Sequence, residues 1–391
     1  MTPKPAFGMR VVFCGSMRKD ILWPAATGIA VALAMAAAVW LRGQHGEAAG
    51  GGKLGEVREA LRQEAASPYR WCDLGEALLE AGQKEKARYC FQQAQQLAPN
   101  LPPIWMRAAF FHFQMEETDA AIRCSAKVLK TVPNYDGVIF NYYDRLVPSV
   151  GEVLPHLGDD RRAGQAYFRH LLGAEAAGPA AKAWEWLRER RFADDGLAAE
   201  YLDLLLKQRM TEEAVRVWAS YLGGRRGDYP DSNVLFNGDF ESAPTGAALD
   251  WRITAAAGAV TGREDEGARS GRWSLHISFQ GLENVTYRNA AQTACVRAGE
   301  YVFQAYARTK DLTTDEGIRF HLFDPEGRAR LDVYTEQLRG TNDWTRVETR
   351  CRVRAGTRLI RVEVCRMPSW KFDNKIKGEA WLDAVSVKAV H

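Results

Sequence analysis

The chain has 391 residues, 46% hydrophobic and 26% charged, which is too long for one ordinary core and too apolar for wholesale disorder. A formal net charge of +3 gives no basic footprint for nucleic acid, and the composition excludes a polytopic membrane protein. Cys14, Cys72, Cys90, Cys124, Cys295, Cys351 and Cys365 are scattered without a CxxC pair, which argues against zinc.

Residues 1–20 carry Lys4, Arg10, Arg18 and Lys19 and precede a charge-free stretch from Ile21 to Leu41 bracketed by Trp23 and Trp40. Two readings compete. Residues 21–41 match the ~30 Å of a bilayer core as a single transmembrane helix, or the AMAAA run is the cleavage region of a signal peptide. As a spanning helix, the positive-inside bias leaves 1–20 cytoplasmic, and the protein is expected in a bacterial inner membrane, single-pass, with its bulk periplasmic. Residues 42–52, ending in AAGGG, are expected as a flexible tether.

A 34-residue step follows: Trp71, Leu74, Gly75, Leu78, Ala87, Phe91, Ala94 and Pro99 recur as Trp105, Ala108, Ala109, His112, Ala121, Ser125, Val128 and Pro133. Large residues fall at positions four, seven and eleven counted from Pro68, and small ones at eight, twenty and twenty-seven, where helices must approach closely. A helix pair of this length buries its apolar face only by stacking on a copy of itself. The spacing predicts an α-solenoid over 53–224. Further amphipathic helices are expected at Asp136 to Leu146, Asp159 to Leu172, Pro179 to Arg190, Gly196 to Lys207 and Thr211 to Tyr221, with Thr211 as a candidate cap.

The pattern resembles the tetratricopeptide repeat, with Leu78 where that family usually has Tyr, and with Ala109 and Ser125 departing in the second copy. The resemblance implies a concave groove that binds a peptide or protein partner. Polar side chains on the first helix of each repeat, Arg70, Asp73, Arg107 and Asn141, are the candidate groove residues. Trp71, Trp105, Phe91 and Leu74 read as packing.

Residues 225–232 are expected as a linker, after which the hydrophobic period changes to two. Alternation predicts strands at Trp273 to Phe279, Glu300 to Arg308, Ile318 to Phe323, Trp344 to Val353 and Leu359 to Val364. A two-sheet β-sandwich with jelly-roll connections is expected over 233–391. Mirror pairing about a turn at Ala355 to Arg358 would set Cys351 near Val362, not near Cys365, so no disulfide is expected between the two cysteines. The fold class predicted for the whole chain is thus a multidomain α + β protein: one transmembrane helix, an α-solenoid and a C-terminal β-sandwich.

The opening NVLFNGDFE from Asn233 to Glu241, Trp251, SGRWSL from Ser270, RAGEY from Arg297, Asn342-Asp343-Trp344 and the closing AWLDAVSV from Ala380 resemble carbohydrate-binding modules with a galactose-binding-like jelly roll, the cellulose-binding C-type among them. Trp251, Trp273, Trp344 and Trp381 occupy that family's packing positions. The resemblance implies a structural Ca²⁺ held by Glu241 and Asp383 with the Asp239 carbonyl as a third ligand; the competing reading pairs the two carboxylates with Arg269 or Arg272. It also implies glycan binding, which needs an aromatic platform beside polar partners. Candidates are Trp370, in the polar insertion Met367 to Lys377, and Tyr306, His321 and Tyr334. Arg346, Glu348, Arg350, Arg352 and Arg354 alternate along one strand and must share a sheet face, as an acidic-polysaccharide ladder or as a solvated surface.

The seven histidines are solitary, and no nucleophile elbow, phosphate loop or dinucleotide fingerprint occurs. The chain is expected to be a non-catalytic scaffold in envelope polysaccharide assembly or export, its solenoid docking a protein and its sandwich a glycan. A rival reading makes the sandwich structural, with no affinity for sugar.

Overall fold

The computed structural model describes residues 50–390. The stretch 21–41 lies outside the described residues, as do 1–20 and most of the tether. Among the described residues no helix is long and apolar enough to cross a membrane. The fold class is corrected accordingly to a helical solenoid followed by a two-sheet β-sandwich, and the spanning helix drops out of it. The last three tether residues, 50–52, are helical and open α1 (Gly50–Gln63). The chain divides into two compact units between Ala163 and Gly164.

In the first unit, α2 (Pro68–Glu80) and α3 (Lys84–Leu97) form one hairpin, and α4 (Pro102–Gln114) and α5 (Thr118–Leu129) the next. α2 and α4 each open on proline, whose fixed φ and missing N–H suit a first turn. The repeat writes itself in hydrogen bonds: Trp71 Nε1 donates to the Ala65 carbonyl at 2.9 Å, and Trp105 Nε1 to the Pro99 carbonyl at 2.8 Å. Ala87, Ala94, Ala108, Ala109 and Ala121 are fully buried where helices cross. A Cβ at Gly75 would lie 2.9 Å from the Phe91 ring, and Phe91 stacks on Phe111 at 4.7 Å. Ser125 is tolerated in the core because its hydroxyl donates to Ala121 O at 2.8 Å and sits 2.8 Å from the Tyr143 hydroxyl. After a 3₁₀ turn at Pro133–Tyr135 come α6 (Asp136–Leu146), α7 (Val150–Leu157), capped by Ser149, and the start of α8 (Arg161–Gly173).

An acid-sensitive contact ties the two hairpins. Glu117, at the N-cap of α5, accepts from both Arg88 terminal nitrogens at 2.7 and 2.6 Å and faces His112 Nδ1 at 2.7 Å. The Arg88 bonds hold its carboxyl down from 4.5 to about 2. A depressed folded value stabilises the fold fully above the unfolded value, and that stabilisation is lost as pH falls through the folded one. Melting temperature is expected to fall more steeply between pH 4.5 and about 2 in the parent than in Glu117→Gln; equal slopes would contradict this assignment.

The second unit continues with α9 (Ala177–Glu189), α10 (Asp195–Lys207) and α11 (Thr211–Leu222). Met210, not Thr211, is the N-cap of α11, and Asp194 caps α10 by accepting from Leu197 N at 3.0 Å. Trp218 of α11 meets Phe236 edge-on at 5.7 Å, and Tyr229, inside the expected linker, is buried and meets the same ring at 6.0 Å. The aromatic in that polar run found an apolar partner, so the segment packs.

Ten strands then form two five-stranded antiparallel sheets: β1 (Arg252–Ile253), β2 (Ala259–Glu264), β3 (Ser274–Gln280), β4 (Tyr287–Cys295), β5 (Gly299–Leu312), β6 (Arg319–Phe323), β7 (Asp332–Tyr334), β8 (Gly340–Val353), β9 (Leu359–Arg366) and β10 (Lys377–Ala389). One sheet runs β1-β4-β9-β6-β7 and the other β2-β3-β10-β5-β8. Their inner faces enclose one core that includes Phe240, Trp251, Phe303, Val362 and Leu382. β8 and β9 lie in different sheets, so the turn between them crosses the sandwich and the mirror pairing expected there does not form. Cys351 pairs with Tyr301 and Cys365 with Arg319, and both thiols are free.

Candidate functional site

Register assembles a site on the outer face of the first sheet. In β6, Phe320 and Leu322 point into the core, which turns Arg319, His321 and Phe323 outward. His321 stands opposite Glu363 of β9 on one side and Tyr334 of β7 on the other. Side chains directly opposite across antiparallel strands must touch. The Tyr334 ring lies flat on the imidazole, centroids 4.0 Å apart and planes 1° from parallel, and Phe323 covers the other side at 4.5 Å.

Carboxylates hold that histidine in place. Its Nδ1 is 2.9 Å from Glu363 Oε1 and its Nε2 is 2.5 Å from Asp332 Oδ1. Arg288 of β4 also donates to Glu363. Burial opposes ionisation of Glu363, but the His321 hydrogen bond and the Arg288 charge outweigh it and keep this carboxyl below its ordinary value. His321 is fully buried, whereas Tyr334 remains 37% exposed. The result is an aromatic plate with a floor fixed by the buried Glu363 and a polar rim of Arg288, Arg319 and Asp332.

Two of the four expected glycan residues therefore come together. Tyr306 lies on the outer face of the other sheet, opposite Asp383 and Arg346, with the Arg269 guanidinium 3.4 Å above its ring. Trp370 is 97% exposed on the loop between β9 and β10, beside an equally open Phe372. The base of that loop is braced: Ser369 is hydrogen-bonded to Asn284 and Asp315, and Met367 Sδ accepts from Arg288. Arg288 was not singled out in the sequence, where nothing local distinguishes it; strand register brings it to the site and sets Glu363 against His321, whereas Asp332 stands two residues from Tyr334 on the same strand.

The tryptophans divide. Trp251 is fully buried and donates to Asn237 O at 3.1 Å. Trp344 and Trp381 instead lie on the outer face of the second sheet under Arg308, at 5.5 and 4.2 Å, while Trp273, just before β3, lies under Arg263 at 4.5 Å. They pack, but against guanidinium planes rather than the core.

Glu241 and Asp383 meet the turn at 270–273. Glu241 Oε1 accepts from the backbone of Arg272 at 2.7 Å and Trp273 at 2.9 Å, while Asp383 Oδ2 accepts from Ser270 N at 2.9 Å. Asp239 Oδ1 faces the Glu241 amide. The partners of these carboxylates are backbone N–H groups and the Ser270 hydroxyl, and among the described residues no group of three or more His, Cys, Asp or Glu side chains could hold a metal ion. Nor do the carboxylates pair with the Arg269 or Arg272 side chains; they anchor a loop.

In the first unit, Arg107 bridges Asp73 and Glu76 at 2.8 Å each, and Arg70 reaches Glu64 at 3.0 Å and Asp73 at 3.7 Å. Three of the four expected groove residues thus form one network, whereas Asn141 is exposed on α6.

Fold and site together describe a helical-repeat region followed by a two-sheet β-sandwich with an aromatic plate on one outer face. Residues 68–101 match the tetratricopeptide repeat family. No curated protein matches the chain. The sandwich resembles the CBM22-1 xylan-binding domain from Paenibacillus barcinonensis, 15% identical over 39% of this chain and 92% of that one, with a TM-score of 0.27. A xylan-binding domain from CBM 22 is 16% identical over 41% of this chain and 97% of that one, with a TM-score of 0.29. A CBM4 structure is 11% identical over 40% and 99%, also at 0.29.

Proposed function

We propose that this chain is a non-catalytic scaffold whose repeats dock a protein partner and whose sandwich binds a glycan on the outer face of its first sheet. The observation that carries the sugar reading is the Tyr334 plate, held flat on His321 and edged by Arg288 and Asp332. The C–H face of a pyranose stacks on such a ring, and charged groups at its edge exchange charge-assisted hydrogen bonds with the hydroxyls. The plate is pre-formed, so little ordering opposes binding.

Native affinity electrophoresis of the intact chain through gels containing neutral β-glycans tests this. Retardation is expected, and Tyr334→Ala is expected to weaken it by about tenfold or more, the equivalent of ~1.4 kcal/mol. The melting temperature should hold, because Tyr334 is on the edge strand and already open to water. No retardation on any neutral polymer would favour the rival reading, a sandwich that serves only as structure. For the repeats, the Arg107 network makes a single charge substitution a poor probe, and the exposed Asn141 is the better site for crosslinking a partner.

A further inference from the structure

The outer face of the second sheet carries a different chemistry. Cross-strand register lines up Lys388, Val302 and Arg350 in one row, Ser386, Gln304 and Glu348 in the next, and Asp383, Tyr306 and Arg346 in the third. β5 thus floors a shallow lane with Val302, Gln304 and Tyr306, all half-buried. β8 and β10 wall it, their backbones about 10 Å apart across the strand between them. Arg346 is neutralised by Glu348, and Arg352 by Glu300 at 3.5 Å. Arg350 and Lys388, on opposite walls of the same row, have no carboxylate partner among the described residues. At the lane's end the Arg269 guanidinium is stacked on Tyr306, its plane fixed by the ring.

We infer that this lane is a second, independent site, and that it takes a carboxylate-bearing polysaccharide. Alternation puts Arg350 and Arg352 about 7 Å apart on one face of β8, and Lys388 faces Arg350 across β5, so a polymer with repeated carboxylates meets more than one cation at once. Arginine forks match planar carboxylates in a bidentate way, and the half-exposed Gln304 amide adds partners for hydroxyls. Each contact is weak in water, so the affinity belongs to the row rather than to any member. Nucleic acid fits less well: Arg269 covers the Tyr306 ring on which a base would stack, whereas a carboxylate polymer needs no bare aromatic platform.

Affinity electrophoresis of the intact chain in polygalacturonate, neutral xylan and single-stranded DNA separates the possibilities. Polygalacturonate should retard the protein, and the effect should fade with added salt. Retardation is taken relative to each protein's own mobility in a polymer-free gel, because reversing two cations lowers the net charge by four, from +3 to −1; on that scale Arg350→Glu, Lys388→Glu should lose the polygalacturonate retardation by tenfold or more while keeping its melting temperature and its relative retardation in neutral gels. Tyr334→Ala should leave the polygalacturonate effect intact, so failure of the Tyr334 site and failure of this one are distinguishable. Polygalacturonate retardation that survives the double charge reversal, or a DNA effect as strong as the polygalacturonate effect, overturns the inference. So does polygalacturonate migration no different from that in neutral gels.

Discussion

Gly238→Ala is expected to unfold the sandwich at temperatures the parent survives. An added Cβ would lie 1.9 Å from the Val385 carbonyl oxygen and 2.9 Å from its carbon, distances that no rotamer change relieves because the obstacle is backbone. The two chains are this close because the opening segment is laced to β10: Val385 N donates to Gly238 O at 2.8 Å, Val234 N to Val387 O at 3.0 Å, and Val387 N to Asn233 Oδ1 at 3.0 Å. Phe240, two residues on, is fully buried against Trp251 at 5.1 Å. Moving the segment away sacrifices those bonds and opens the core, so the cost should be at least about 3 kcal/mol. In a unit of this size that is a drop in melting temperature of roughly 6–12 °C by calorimetry. Gly262→Ala is the control, since a Cβ there meets nothing within 4 Å. A Gly238→Ala protein that melts with the control would show that the contact relaxes freely.

Arg366→Met should be comparably severe for a different reason. This guanidinium is fully buried and has no carboxylate in hydrogen-bond contact; instead it donates to Asn284 Oδ1 at 2.8 Å, Val285 O at 2.5 Å, Thr314 Oγ1 and Asn374 O at 3.2 Å each, and Glu316 O at 3.3 Å. Burial pushes its pKa down from the ordinary value, the sign of a charge held in a dry place by hydrogen bonds. Methionine keeps much of the stem volume but leaves several acceptors without donors, each carrying a desolvation cost of about 1–3 kcal/mol. A loss above about 3 kcal/mol is expected in urea unfolding, with poor rescue by Arg366→Lys, because an ammonium cannot reproduce five donors in a fork. The same substitution should loosen the 367–376 loop, since Asn284 also holds Ser369. A loss below about 1 kcal/mol would mean that water replaces the guanidinium.

The helices were legible because their signals are local. Asp136–Leu146 falls where the 3.6-residue period puts it, and α9 to α11 start or stop within two residues of expectation. The 34-residue step needed only counting. β4 was not legible: Tyr287–Cys295 is rich in alanine, and its register with β9 shifts between Tyr287 and Ala290, which breaks the alternation that betrays a strand. β7 is too short to show a period. Tyr334 and His321 were visible as an aromatic and a histidine of the right chemistry, but not as a pair.

The amino-acid order by itself therefore determined the stacked hairpins and the change to a two-residue period, because both arise from which side chains repeat at the spacing of a turn or a pleat. Only the tertiary structure decided that β8 and β9 part into different sheets, that Glu241 and Asp383 meet the amides of a turn, and that Arg288 and Glu363 gather round the stacked pair of His321 and Tyr334. These depend on register between strands far apart in the chain, where a slip of one residue would turn every one of those side chains to the opposite face.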